Sequence, residues 1–220
     1  YVRKAGSEEV LVRTLEEEQY PRYYGGSVAS GDGEESPEAE LTEAPAALPG
    51  TKQEDSGPKG GHLTFMENQR GVSFDELFGP YLRGVSEIVL TDPYIRLFYQ
   101  ARNLMEFLET VAKYKAEEDE VTVKLVTVLD DFKAEQQAEN FERMQEAVAP
   151  VGIKLEWKFD NSGSAHARHI VTDTGWKILL DRGLDIFQQY EMNDAFAVAN
   201  RMQKFRQCKA FEVTYLREGK

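Results

Sequence analysis

The run His166-Ala-Arg168-His169-Ile-Val-Thr-Asp173 spaces a histidine, a cation and a carboxylate as His-x-Arg-x4-Asp. Histidine can serve as nucleophile or general acid near neutral pH. Arginine grips phosphate oxygens through a planar fork, which suits holding an anion better than the compact point charge of a lysine would. The run reads as a strand, and alternate residues of a strand share a face, so His166 and Arg168 can point into one cleft.

Other residues could serve the same cleft. Asp92, in Asp92-Pro-Tyr94, follows a strand at the carboxyl edge where α/β sheets bind ligands, and either lines the cleft or caps the next turn. Arg182-Gly183 reads as a turn with positive φ at the glycine, with Arg182 either binding an anion or paired to Asp185. Asp130-Asp131 resembles a metal pair, but no His or third carboxylate adjoins it, and it reads instead as the cap of a helix. The single cysteine, Cys208, allows no internal disulfide and is expected to pack rather than react.

These residues have to be placed by an alternation of strands and helices that begins at His62. Ser73-Phe-Asp-Glu76 is a capping box opening a helix toward Leu82. Ser86–Thr91 is a short apolar strand. Leu97, Ala101, Leu104, Met105, Leu108 and Val111 form one face of a helix reaching about Tyr114. A strand over Glu120–Thr127, a helix over Lys133–Ala149 and a strand over Ile153–Phe159 follow. The βαβαβ order predicts an α/β domain with a mixed, mostly parallel sheet and helices on both of its faces. His169–Thr172, Trp176–Leu180 and Lys209–Leu216 are three further strands, with Thr174-Gly175 as the tight turn between the first two.

Upstream, Gly25 to Gly61 is dense in Gly, Pro, Ser and Glu without an aromatic, the composition of a disordered linker. Residues 1–24 read as the tail of a preceding domain or a short β segment. The chain begins at Tyr1 rather than Met, which points to a piece of a longer polypeptide. Its net charge is −13, and residues 1–61 hold 13 of the 39 acidic but only 6 of the 26 basic side chains. The remaining domain is therefore mildly acidic, which opposes non-specific attraction to nucleic acid or anionic lipid. No apolar run approaches the roughly 18 residues that span a bilayer. A soluble, cytoplasmic protein is the expectation.

The His-x-Arg-x4-Asp spacing is similar to the active-site signature of the phospholipase D superfamily, with Arg168 where the catalytic lysine stands. Thr91-Asp-Pro-Tyr-Ile-Arg96, Thr174-Gly-Trp176, Arg182-Gly-Leu-Asp-Ile-Phe187 and the opening Gly71–Phe78 segment add to it. In order and spacing they resemble the phospholipase D-like C-terminal domain of eukaryotic MIT-domain proteins, over 62–217. The resemblance implies a phospholipase D-like fold and a non-catalytic, dimeric, phosphoinositide-binding module. Similar domains are appended to bacterial Lon-like AAA+ proteins, some in phage-defence islands, so an upstream Lon-like ATPase domain is a further implied partner. Where that family has His-Asp-Arg-Glu, this chain has His166-Ala-Arg168-His169.

The expected function is a binding and regulatory module for an anionic, phosphate-containing ligand, a phospholipid headgroup or nucleic acid. It would recruit or regulate a larger protein. The ligand set is His166, Arg168, Lys177, Arg182 and Asp92; Arg201, Lys204, Arg206 and Lys209 read as one basic face of a helix, either a second cationic cluster or simply a solvated face. No cofactor or metal is expected. The alternative is a phosphodiesterase or nuclease, with His166, Arg168 and Asp173 as its catalytic set. Active enzymes of the superfamily carry two motifs and this chain carries one, so a homodimer would have to bring two copies together.

Overall fold

A computed structural model describes residues 57–160, 167–190, 194 and 196–218. The tail over 1–24 and all but the last residues of the linker over 25–61 lie outside them, as does His166. Seven strands form one sheet: β1 (Gly61–Phe65), β2 (Glu87–Thr91), β3 (Val121–Thr127), β4 (Ile153–Phe159), β5 (His169–Thr172), β6 (Trp176–Leu180) and β7 (Phe211–Arg217). The helices are α1 (Phe74–Leu82), α2 (Phe98–Tyr114), α3 (Ala134–Val148) and the single turn α4 (Val198–Arg201).

The elements start and stop where local chemistry dictates. Ser73 Oγ accepts the Glu76 amide at 3.2 Å to open α1. Gln100 Oε1 accepts the amides of Arg96 and Leu97 at 3.1 and 2.9 Å to open α2. Asp130 Oδ1 accepts the amides of Phe132 and Lys133 ahead of α3. Those two amides hold the Asp130 carboxyl below its ordinary pKa, in keeping with a capping rather than a metal-binding role. Gly175, at φ +85°, closes the β5–β6 hairpin.

The α/β class holds, but the balance of the sheet does not. Its order is β1-β7-β6-β5-β2-β3-β4, and only the β2–β3 and β3–β4 pairings are parallel. The other four pairings are antiparallel, so the expectation of a mostly parallel sheet is corrected. Among the described residues no helix after β4 supplies a crossover, and β5 and β6 are joined by a turn too short for anything but an antiparallel pair.

Helices on both faces are corrected too. Among the described residues the helices cover one face only. Tyr81 of α1 packs on Trp176 and Tyr215, with ring centroids 5.0 and 4.5 Å away, and Phe141 of α3 packs on Trp157 at 5.7 Å. All three sheet residues share the face of Ile88, Leu90, Val123 and Leu155, each fully buried. The opposite face carries Val89, Thr91, Lys124, Val126, His169, Val171 and Lys177, each half-buried. The reason is direction: β1, β2, β3 and β4 step one way across the sheet, and right-handed crossovers taken one way fall on one side.

Candidate functional site

The carboxyl edge of β2 collects most of the residues singled out by the sequence. Asp92 leaves β2 with its amide on the Val126 carbonyl (3.0 Å) and is 3% exposed. Its Oδ1 accepts the Tyr94 amide at 3.1 Å and its Oδ2 accepts the Leu184 amide at 3.2 Å. It thus ties the loop after β2 to the turn after β6. Burial raises the Asp92 pKa, against the opposing pull of those two amides and of the Arg168 charge. Gly183, in the left-handed region at φ +62°, lies against this carboxylate.

Arg168 enters β5 at the same edge, and its carbonyl accepts the Leu180 amide at 3.0 Å. Its guanidinium lies 4.1 Å from the Tyr94 ring centroid, a cation–π contact, and Nη1 donates to the Asp181 carbonyl. Nε is buried and has no hydrogen-bond partner among the described residues. Arg182, two residues beyond β6, is exposed and spends Nε on the Ala210 carbonyl at 2.6 Å. It does not pair with Asp185, which takes Lys209 at 2.8 Å.

Two residues of the expected set are elsewhere. Asp173 lies past the far end of β5, where its carboxylate accepts the Ser86 amide and hydroxyl and its amide meets the Glu87 carbonyl. Five residue steps of about 3.3 Å along the strand separate it from Arg168. Lys177 sits toward that same far end, opposite Val171 on the uncovered sheet face, and pairs with Glu218 at 3.4 Å. The structure thus brings Asp92, Arg168 and Arg182 to one edge and leaves Asp173 and Lys177 apart. His169, half-buried on the uncovered face, has its pKa lowered by burial and by the Lys177 charge.

The second basic set is not one helix face. The chain makes the single turn α4, then a 3-10 turn over Gln203–Phe205, and Arg206 turns inward to 3% exposure. Its guanidinium grips Glu106 of α2 at 2.6 and 2.8 Å and stacks over Tyr190 at 4.2 Å. Arg206 anchors the 187–206 excursion to α2 and is not available to a ligand.

Beside Asp92 lies a cavity of about 440 Å³ that the sequence did not disclose, walled by Tyr99, Asn103, Asp185, Phe187, Tyr190 and Lys209. A smaller void lined by Asp92 shares Asn103 and Asp185 with it. Burial, with the Asp185 charge second, raises the Tyr99 pKa. Asp185 stood in a quoted motif, but Tyr99 and Asn103 sit within an ordinary helical pattern, and nothing local marks them. Among the described residues no three His, Cys, Asp or Glu side chains converge as metal ligands, and no helix is long and apolar enough to cross a membrane.

Residues 71–217 match the family described as a phospholipase D-like domain at the C-terminus of MIT. MIT domain-containing protein 1 of Mus musculus is 31% identical over 140 residues, covering 63% of this chain. The chain spans about half the length of that curated relative, 55% of it.

Proposed function

The chain belongs to the family of phospholipase D-like domains found at the C-terminus of MIT proteins, and from that premise we propose that it is a non-catalytic module binding an anionic, phosphate-bearing ligand at the carboxyl edge of β2. One observation carries the reading. Arg168, standing where the superfamily's signature has its catalytic lysine, is fixed by the Tyr94 ring and the Asp181 carbonyl yet keeps a buried Nε–H without a partner among the described residues. A fixed fork with a donor to spare suits holding an oxyanion. Arg182 is the second cation at that edge, and His166, two residues before Arg168, is the further candidate. Lys177, paired to Glu218 toward the other end of β5, is left out of the site.

The module would act as a homodimer in a reducing, cytoplasmic setting, and would position a covalently linked upstream domain of MIT or Lon-like AAA+ type. Binding is tested by titrating the full chain with phosphatidylinositol-phosphate vesicles and, separately, with single-stranded DNA. Arg168→Glu should abolish whichever interaction is seen. Sedimentation tests the dimer. Cleavage of bis(p-nitrophenyl) phosphate by metal-free protein, lost on His166→Ala, would sink the non-catalytic reading in favour of the paired-motif phosphodiesterase.

A further inference from the structure

The cavity beside Asp92 is built around one side chain that the fold does not use. Asn103 of α2 is 5% exposed, yet its carboxamide has no hydrogen-bond partner among the described residues. It lines both the cavity of about 440 Å³ and the smaller void that Asp92 borders. A nearly buried carboxamide without a protein partner is a cost to folding that a bound molecule can offset. Tyr99 lies one helical turn before Asn103 on the same face of α2, and Phe187 and Tyr190 supply two further aromatic walls.

The lining specifies the class of occupant. Its charged members, Lys209 and Asp185, neutralise each other at 2.8 Å, so the walls offer an ion no partner of its own. An uncharged, flat molecule with a donor beside an acceptor on one edge meets the aromatic walls and both halves of the carboxamide. Nucleobases have that pattern, and an asparagine amide pairs bidentately with adenine. The volume falls within the roughly 300–1,000 Å³ of small-molecule sites. The place also fits, since open α/β sheets take ligands beyond the carboxyl ends of their strands, and Asp92 leaves β2 there. We propose that this cavity is a nucleobase site, in which Asn103 reads the hydrogen-bonding edge of the base and Tyr99, Phe187 and Tyr190 enclose its ring. A peptide carboxamide would use Asn103 equally well but would leave the aromatic walls without a ring to pack on. The inference is independent of anion binding near Arg168.

The test uses the full chain and ligand-observed saturation-transfer NMR with adenosine, guanosine, cytidine and uridine. These carry no phosphate, so their binding is read separately from any anion site. At least one should bind, and its affinity should fall at least about tenfold on Asn103→Leu. Because Asn103 has no partner among the described residues, this substitution strands no group, and the urea midpoint should not fall. Tyr99→Leu, at a wall position 37% exposed, is the second variant and should weaken the same nucleoside. Adenosine 5′-monophosphate and octadeoxyadenylate then distinguish a free nucleotide from a strand as the source of the base, and whichever binds should lose affinity on Asn103→Leu. The proposal is overturned if none of the nucleosides binds, or if one binds equally well to the Asn103→Leu chain or, should that chain not fold, to the Tyr99→Leu chain. Binding of N-acetylglutaminamide but of no nucleoside would also overturn it, in favour of a peptide carboxamide.

Discussion

Gly183 and Asp92 constrain each other. A Cβ at Gly183 would fall inside the van der Waals shell of Asp92 Oδ2, and φ there is +62°. Gly183→Ala should therefore cost about 1–3 kcal/mol from the left-handed backbone alone, with displacement of Asp92 in addition, read from urea unfolding. The buried carboxyl also predicts a pH dependence. Its folded pKa lies above the unfolded value near 3.8, so the folded chain holds the proton more tightly. That stabilisation is full below 3.8 and is lost as pH rises through the folded pKa. Against Asp92→Asn, which has no such titration, wild type should lose ground steadily as pH climbs from about 3.8. A flat difference between the two urea midpoints would contradict the raised pKa. Asp92 could be suspected from its place after a strand, but the partner that constrains it, Gly183, is 91 residues away, and no local pattern joins them.

Between elements, two buried polar side chains hold the loops around the site. Gln137 of α3, 1% exposed, donates to the carbonyls of Ile95 and Val128 at 2.8 and 3.0 Å and accepts the Asp130 amide at 2.8 Å. It ties the segments after β2 and β3 to one helix. Gln137→Leu strands all three groups and should cost about 1–3 kcal/mol, with faster exchange of the Asp130 amide. Arg206 does the same for the 187–206 excursion through Glu106. Arg206→Met removes the bidentate partner of buried Glu106, leaving it Arg102 Nε at 3.5 Å and Gln203 Nε2 at 2.9 Å, and should cost about 3 kcal/mol, read from urea unfolding. Element types were legible because capping residues and periodicity are local: Ser73, the α2 stripe and the β5–β6 turn at Gly175 all stand where the sequence put them. The inward turn of Arg206 was not legible, since a run of cations looks alike whether it is solvated or gripping a carboxylate from another helix.

Over the described residues, the seven-stranded sheet has β6, β5 and β2 at its middle and β1 and β4 at its edges. Native-state hydrogen exchange should be slowest at Val89, Leu90 and Val123 and fastest along β1, whose residues are mostly exposed. Comparable protection of β1 and β2 would mean that something covers the β1 edge in solution. The sequence by itself determined the α/β class, the family resemblance, nearly every strand and helix, and the candidate cation Arg168, because those rest on spacing, composition and caps within a few residues. Tertiary structure alone decided that four of six strand pairings are antiparallel, that the helices share one face, and that Asp173 and Lys177 lie apart from Arg168. It also decided that Tyr99, Asn103 and Asp185 meet beside Asp92. The reason is that strand order and the direction of crossovers are set by packing among distant segments, and a motif read along one strand cannot tell which of its residues reach the same end of the sheet.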